Sequence, residues 1–223
     1  VSNERSVVFL DVGGPIYDDR VYADALRVGL RAGGADVPDA EFEREYERCR
    51  RAQDGFTRPL ARRFGVDPAV LERAAAAAWR YPSDAMYADV LPSLRRVAAG
   101  FAIGVLANQP AATRAALERD GVAPFVEHWV LSGDLGLSKP DPRLFAHAIG
   151  VGGRPPERVA YVGNRLDNDV RPARAAGMRT VWLLRGEAPA APTANQRAEA
   201  DAVIRSLAEL PDALEQIGLS AVP

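Results

Sequence analysis

Four consecutive apolar residues, Val7–Leu10, stop at Asp11, and the chain continues through Val12 into a glycine pair and Pro15. An unbroken apolar run of this length, ended by turn residues, predicts a strand buried on both faces, as in a parallel sheet. Asp11 then stands at the carboxyl tip of a rigid strand, where open parallel sheets bind their ligands. After Pro15 the period changes. Apolar residues at helical spacing with charges between them predict four amphipathic helices, over 19–30, 38–52, 57–64 and 68–79, the last opened by Asp67–Pro68 as cap and first turn. From about Tyr87 the elements alternate. Helices are predicted over 91–99, 111–120, 141–150, 170–176 and 207–217, and strands over 101–106, 129–131, 159–162, 180–184 and 202–204. Such alternation predicts an α/β fold, a parallel sheet covered on both faces, with the helical stretch inserted after the first strand. The Ala- and Pro-rich stretch 186–198 reads as an exposed loop, and Arg44, Arg48, Arg50 and Arg51 as a solvated helix face.

Composition narrows the functional classes. In 223 residues, 48% are apolar, ample for a core, and a net charge of −2 with interspersed signs gives no field for nucleic acid. Cys49 has no partner for a disulfide, and two histidines make no zinc cluster. No apolar run approaches a membrane span, and the opening VSNERSVVFL is too short a run for a signal peptide. The expectation is a cytoplasmic protein without a membrane or nucleic-acid partner, a monomer or homodimer. All but one of the 28 basic residues are arginine. The exception, Lys139, marks a position where a compact ammonium does what a planar guanidinium does not.

The candidate polar groups each follow a predicted strand or open the helix beyond one: Asp11, Asn108, Lys139 and the segment Asn164–Asp169. In a twisted parallel sheet these tips converge on one crevice. A carboxylate, a lysine and a second acidic cluster gathered there suit nucleophilic catalysis on a small anionic substrate.

In the blocks VVFLDVGGP, IGVLANQ, GLSKPDPRLF and VAYVGNRLDNDVRPARAAGMRTVWL the chain resembles the haloacid dehalogenase (HAD) superfamily, in the family's order and approximate spacing. The resemblance implies a Rossmann-like HAD core over 1–15 and 87–223 and an all-helical cap over 16–86 that closes on the site. It makes Asp11 the nucleophile that forms an aspartyl ester, and Lys139 the group that neutralises Asp11 and the transferred group. Asn108 would help fix the reacting group. Magnesium would be held by Asp11, Asp169, the backbone carbonyl of Gly13 and, more weakly, the side-chain carbonyl of Asn164.

Four positions depart from the family pattern. Gly13 stands where the phosphatases carry a second aspartate that protonates the leaving oxygen, a group worth about 10² to 10⁴ in rate. Pro15 replaces a threonine, Ala107 a serine or threonine that holds a phosphoryl oxygen, and Asn164 an acid near the metal. Asp167 is an alternative metal ligand, and Asp18 and Asp19 are candidates for the missing acid. Arg27, Arg31, Trp79 and Tyr81 are candidate cap residues facing the substrate. Three readings follow: a hydrolase acting through Asp11 on a small phosphorylated metabolite; a protein that keeps the fold for binding and has lost turnover; and a carbon–halogen or carbon–phosphorus hydrolase, whose chemistry needs no acid at position 13.

Overall fold

The computed structural model describes residues 5–79, 84–110 and 112–221. Tyr81 and the start of the helix expected at Ala111 lie outside them. Among the described residues the chain begins with β1 (Val7–Leu10), followed by α1 (Tyr22–Ala32), α2 (Asp39–Ala52), α3 (Thr57–Phe64), α4 (Pro68–Ala78) and α5 (Val90–Ala98). It then alternates through β2 (Ala102–Ala107), α6 (Thr113–Arg119), β3 (Val126–Leu131), the short α7 (Ser132–Leu135), α8 (Pro142–Gly152), β4 (Val159–Gly163) and α9 (Arg171–Ala175). β5 (Arg179–Leu183), α10 (Ala194–Arg197), β6 (Ala202–Ile204) and α11 (Leu210–Gln216) complete it.

The six strands form one parallel sheet in the order β3-β2-β1-β4-β5-β6. β1 lies between β2 and β4, with Leu10 opposite Val105 on one side and Val162 on the other. That central place explains its unbroken apolar run, because side chains of alternate residues enter different cores. Val8 and Leu10 pack with Val90 and Leu94 of α5 and Leu210 and Leu214 of α11, while Val7 and Phe9 pack with Leu144 and Phe145 of α8. Val7 through Leu10 are all at most 1% exposed.

The inserted helices own a separate core of Leu26, Leu30, Phe42, Leu60 and Leu71. The 19–21 stretch, expected as the first turn of α1, is a 3-10 turn in which the Asp18 side chain accepts from Arg20 N. Two expectations fail at the seam between these helices and the sheet. Residues 186–189 of the predicted exposed loop are buried, and Arg50 is not solvated. Its Nη2 donates to the carbonyls of Gly186 at 3.1 Å and Ala188 at 2.7 Å. Composition marked the loop as solvent-loving, but its backbone carbonyls are what α2 docks on.

Gln53 makes the seam's most connected contact. It caps α2 in the left-handed region, φ 52°, and this turns its side chain onto two core loops. Its Nε2 donates to Glu187 O at 3.0 Å and to Arg50 O at 2.8 Å, and its Oε1 accepts from Leu166 N at 2.9 Å. Arg171 Nη1 donates back to Gln53 O at 3.1 Å. Beside it, Tyr46 OH donates to Glu187 Oε1 at 3.1 Å.

Candidate active site

The carboxyl ends of β1, β2 and β4 meet at one corner. Asp11 follows β1 directly, its backbone N–H bonded to Val162 O at 2.9 Å, so the ladder carries the residue one step past the strand. Its Oδ1 accepts from Val12 N at 2.8 Å and its Oδ2 lies 2.8 Å from Lys139 Nζ. The Asp11 side chain retains 13% exposure, whereas those of Lys139 and Asp169 have none.

Lys139 is the hub. Its ammonium lies 2.7 Å from Asp169 Oδ1 and donates to Tyr161 OH at 2.8 Å, besides the contact with Asp11. Its main chain is fixed by Asn108, whose Oδ1 accepts from Lys139 N at 2.6 Å and whose Nδ2 donates to Lys139 O at 2.9 Å. Asn108 therefore reaches the site, but its amide braces the lysine instead of facing a reacting group. Asp169 folds back over Gly163, where a Cβ would lie 2.4 Å from that of Asp169; only glycine leaves room for it. Its Oδ2 accepts from Arg165 N at 3.0 Å.

Burial pushes the Asp11 carboxyl up to about 6, against the pull of Lys139. Burial by itself would pull the ammonium down, but Asp11 and Asp169 outweigh it and hold Lys139 above its ordinary value. Above about pH 6 the corner thus offers an ionised carboxylate, partly reachable from outside, with a permanent cation at its side. That is the arrangement of a nucleophile with its charge stabiliser.

The turn after Asp11 is built differently from expectation. Gly13 has no side chain to offer, and the turn is held by Arg185, which the sequence did not single out. Its Nε donates to Gly14 O at 2.9 Å, Nη2 donates to Pro15 O, and Nη1 pairs with Asp89 at 2.7 Å. Asn164 lies against this turn. A Cβ on Gly14, φ 84°, would fall 2.2 Å from Asn164 Cγ. Asn164 Nδ2 donates to Asp19 Oδ2 at 2.7 Å and to Arg185 O at 3.1 Å, while its Oδ1 is buried with no hydrogen-bond partner.

The two acids at the cap entry part ways. Asp18 turns to Arg20, whereas Asp19 is 8% exposed and bonded to Asn164 and to Glu187 N, the latter at 2.9 Å. Burial and the neighbouring Glu187 raise the Asp19 carboxyl well above its ordinary range. Asp167 is paired with Arg165 through Oδ1 and Oδ2, at 3.1 and 2.6 Å, and does not join Asp11 and Asp169. Of the cap candidates, Arg27 stacks on Phe42 at 4.1 Å and pairs with Asp39 and Glu43, Arg31 is exposed, and Trp79 packs edge-on to Tyr22 at 5.2 Å. Tyr161, Arg185, Gln53 and Glu187 were missed. Tyr161 sits inside an apolar run and reads as core, and the others carry no motif.

Comparison with known proteins bears on the family and the fold. A family model described as HAD-hydrolase-like matches residues 136–210, the stretch holding Lys139, Asn164 and Asp169. Glyceraldehyde 3-phosphate phosphatase of Methanopyrus kandleri is 34% identical over 197 residues, 81% of this chain and 84% of that protein. Phosphoserine phosphatase of Thermus thermophilus is 40% identical over 117 residues, 52% of this chain and 46% of its own length. The fold matches the HAD-hydrolase YfnB of Bacillus subtilis, solved bound to magnesium, with a TM-score of 0.65 and 19% identity over 94% of this chain and 98% of that one. With a relative 34% identical over 81% of this chain and 84% of its own length, and a family model matching the second half of the sheet, the chain belongs to the HAD superfamily of hydrolases.

Proposed function

We propose that this protein is a phosphatase that hydrolyses a small phosphorylated metabolite through Asp11. The Asp11 carboxylate attacks phosphorus and the bond from phosphorus to the alcohol oxygen breaks, leaving an aspartyl phosphate; water then attacks that phosphorus, releasing phosphate and the free carboxylate. Lys139 offsets the negative charge that builds on the phosphoryl oxygens. The observation that carries the reading is the Asp11 carboxylate held 2.8 Å from the ammonium while its side chain keeps 13% exposure. The phosphatase names of the relatives from M. kandleri and T. thermophilus support the substrate class.

Gly13 supplies no acid to the leaving oxygen. Of the acids at the cap entry, Asp19 is the one that turns inward, and we assign the role to it rather than to Asp18. The donors present fit magnesium. Asp11 and Asp169 are carboxylates sharing one ammonium, and the Asn164 Oδ1 is a buried oxygen without a partner. Among the described residues no three Asp, Glu, His or Cys side chains gather into a metal cluster. Asp11, Asp169, Asn164 and the Gly13 carbonyl would hold the ion, which supplies further neutralisation of a bound phosphoryl group.

The test is phosphate release from p-nitrophenyl phosphate and a panel of small phosphate esters in magnesium, with wild type and Asp11→Asn side by side. Release by the wild type that falls to background in the variant supports the reading; equal release by both refutes it. A second reading, a binding protein without turnover, is favoured by one observation: Ala107 is fully buried at the tip of β2 and brings no hydroxyl to the site. It predicts that orthovanadate raises the melting temperature while no ester is hydrolysed.

A further inference from the structure

The chemistry above leaves one buried polar group at the corner without a task. Tyr161 lies on β4, 1% exposed, yet its phenol oxygen touches groups from other parts of the sheet. It accepts from Lys139 Nζ at 2.8 Å and donates to Leu106 O at 2.9 Å. Leu106 is on β2, and the sheet order places β1 between β2 and β4. The phenol therefore reaches across the central strand, beneath the tip that bears Asp11. Its ring is held edge-on against Phe145 of α8 at 5.7 Å and 80°, which fixes the direction of the oxygen.

An ammonium has three N–H donors and no freedom to leave one unmatched in a water-free site. Two of those of Lys139 go to Asp11 and Asp169. With only these two partners the nitrogen can swing about the line between the two carboxylate oxygens, so the side to which it presents its charge is not fixed. The third partner removes that freedom. A phenol suits the place better than a third acid, which would add negative charge beside the nucleophile. It also suits better than a serine, too short to span β1. Tyr161 OH lies 2.9 Å from Leu106 O and 3.4 Å from Asp169 Oδ1; with its proton on the nearer Leu106 O, its lone pair is the part presented to Lys139.

We infer that Tyr161 is the positioning residue of Lys139: it fixes the ammonium at the spot from which it stabilises the group transferred to Asp11. The inference rests on the phosphatase reading for its kinetic consequence but not for its structural one. Losing one charge-assisted hydrogen bond, and leaving a donor and Leu106 O unmatched, removes about tenfold or more in rate. The loss falls on kcat, with KM within threefold, because the ammonium acts on charge that develops in the transition state.

The experiment compares wild type with Tyr161→Phe on p-nitrophenyl phosphate in magnesium, together with a direct view of the lysine. Lys139 is the chain's sole lysine, so protein grown on ε-15N-lysine carries a single labelled ammonium. The expected result is a tenfold or greater fall in kcat at near-constant KM. The wild type's narrow ammonium signal, protected from exchange, broadens in the variant. A kcat within twofold of wild type, or an ammonium signal unchanged in the variant, overturns the inference. So does a lower melting temperature alone, the mark of a merely structural tyrosine. If the wild type hydrolyses neither the probe nor any ester of the panel, the phosphatase reading fails, and the ammonium signal decides the role of Tyr161 by itself. If Tyr161→Phe does not fold, 4-fluorophenylalanine at position 161 fills the same volume without the hydrogen bonds, and the same two readouts apply.

Discussion

The corner around Lys139 and the seam under α2 are both buried, and they differ in what their cations and amides meet. At the corner, charged side chains meet other side chains: Asp11 and Asp169 meet Lys139, and Tyr161 meets Lys139 as well. At the seam, side chains meet the backbone: Arg50 bonds the carbonyls of Gly186 and Ala188, Gln53 bonds Leu166 N and Glu187 O, and Arg171 bonds Gln53 O. The first arrangement depends on the identity of every partner. The second depends on one partner's identity and only on the path of the other. Opening the corner would leave buried charges uncompensated, a cost of several kcal/mol each. Opening the seam returns a guanidinium and some peptide groups to water, a much smaller cost because water replaces the lost hydrogen bonds. On these costs the seam is expected to open more readily than the corner.

This contrast is open to breakage, and the largest expected effect is at the hub. Lys139→Met leaves Asp11 and Asp169 facing each other without a cation, and a loss of about 3–5 kcal/mol is expected in urea denaturation at pH 7.5. Gln53→Ala leaves Leu166 N and Glu187 O without their partner, and the same measurement is expected to show about 1–3 kcal/mol. A Gln53 variant as costly as the lysine variant would erase the distinction between the two regions. A pH-dependent effect sharpens the seam. Burial pushes the Glu187 carboxyl from its ordinary 4.5 up to about 7, against the pull of Arg165. The folded chain then holds a proton there more tightly than the unfolded chain, so Glu187 removes stability as pH rises from about 4.5 through about 7. Glu187→Gln, which keeps an acceptor for Tyr46, is expected to match wild type below this window and exceed it by up to about 3 kcal/mol at pH 8. Thermal melts at pH 4.5 and pH 8 check this; an identical difference at both would contradict it.

The same contrast explains how far the site was legible in the sequence. Asp11 and Asn108 stand out because each polar side chain sits just past an apolar run, and a strand's end is visible in the run itself; within 164–169, Asp169 is singled out only by the family resemblance. Lys139 stands out by composition. The helical insertion is legible because its period differs from that of the strands. Tyr161 is invisible for a physical reason: its ring belongs in an apolar run, and the value of its oxygen depends on which strand lies two places away, a property of sheet order. The seam is invisible for another reason. A backbone carbonyl is present at every residue, so nothing in 186–189 announces that α2 docks there. Arg185 combines both difficulties, since it binds Gly14 O and Pro15 O through a loop that reads as surface.

The bond between Asn164 and Asp19 couples the two positions. Because the Asn164 amide donates to the Asp19 carboxyl at 2.7 Å, an aspartate at position 164 would set two carboxyl groups face to face. Asp19→Asn, which would supply a neutral partner, is therefore the companion change that an aspartate at 164 calls for, and the two positions have to be varied as a pair.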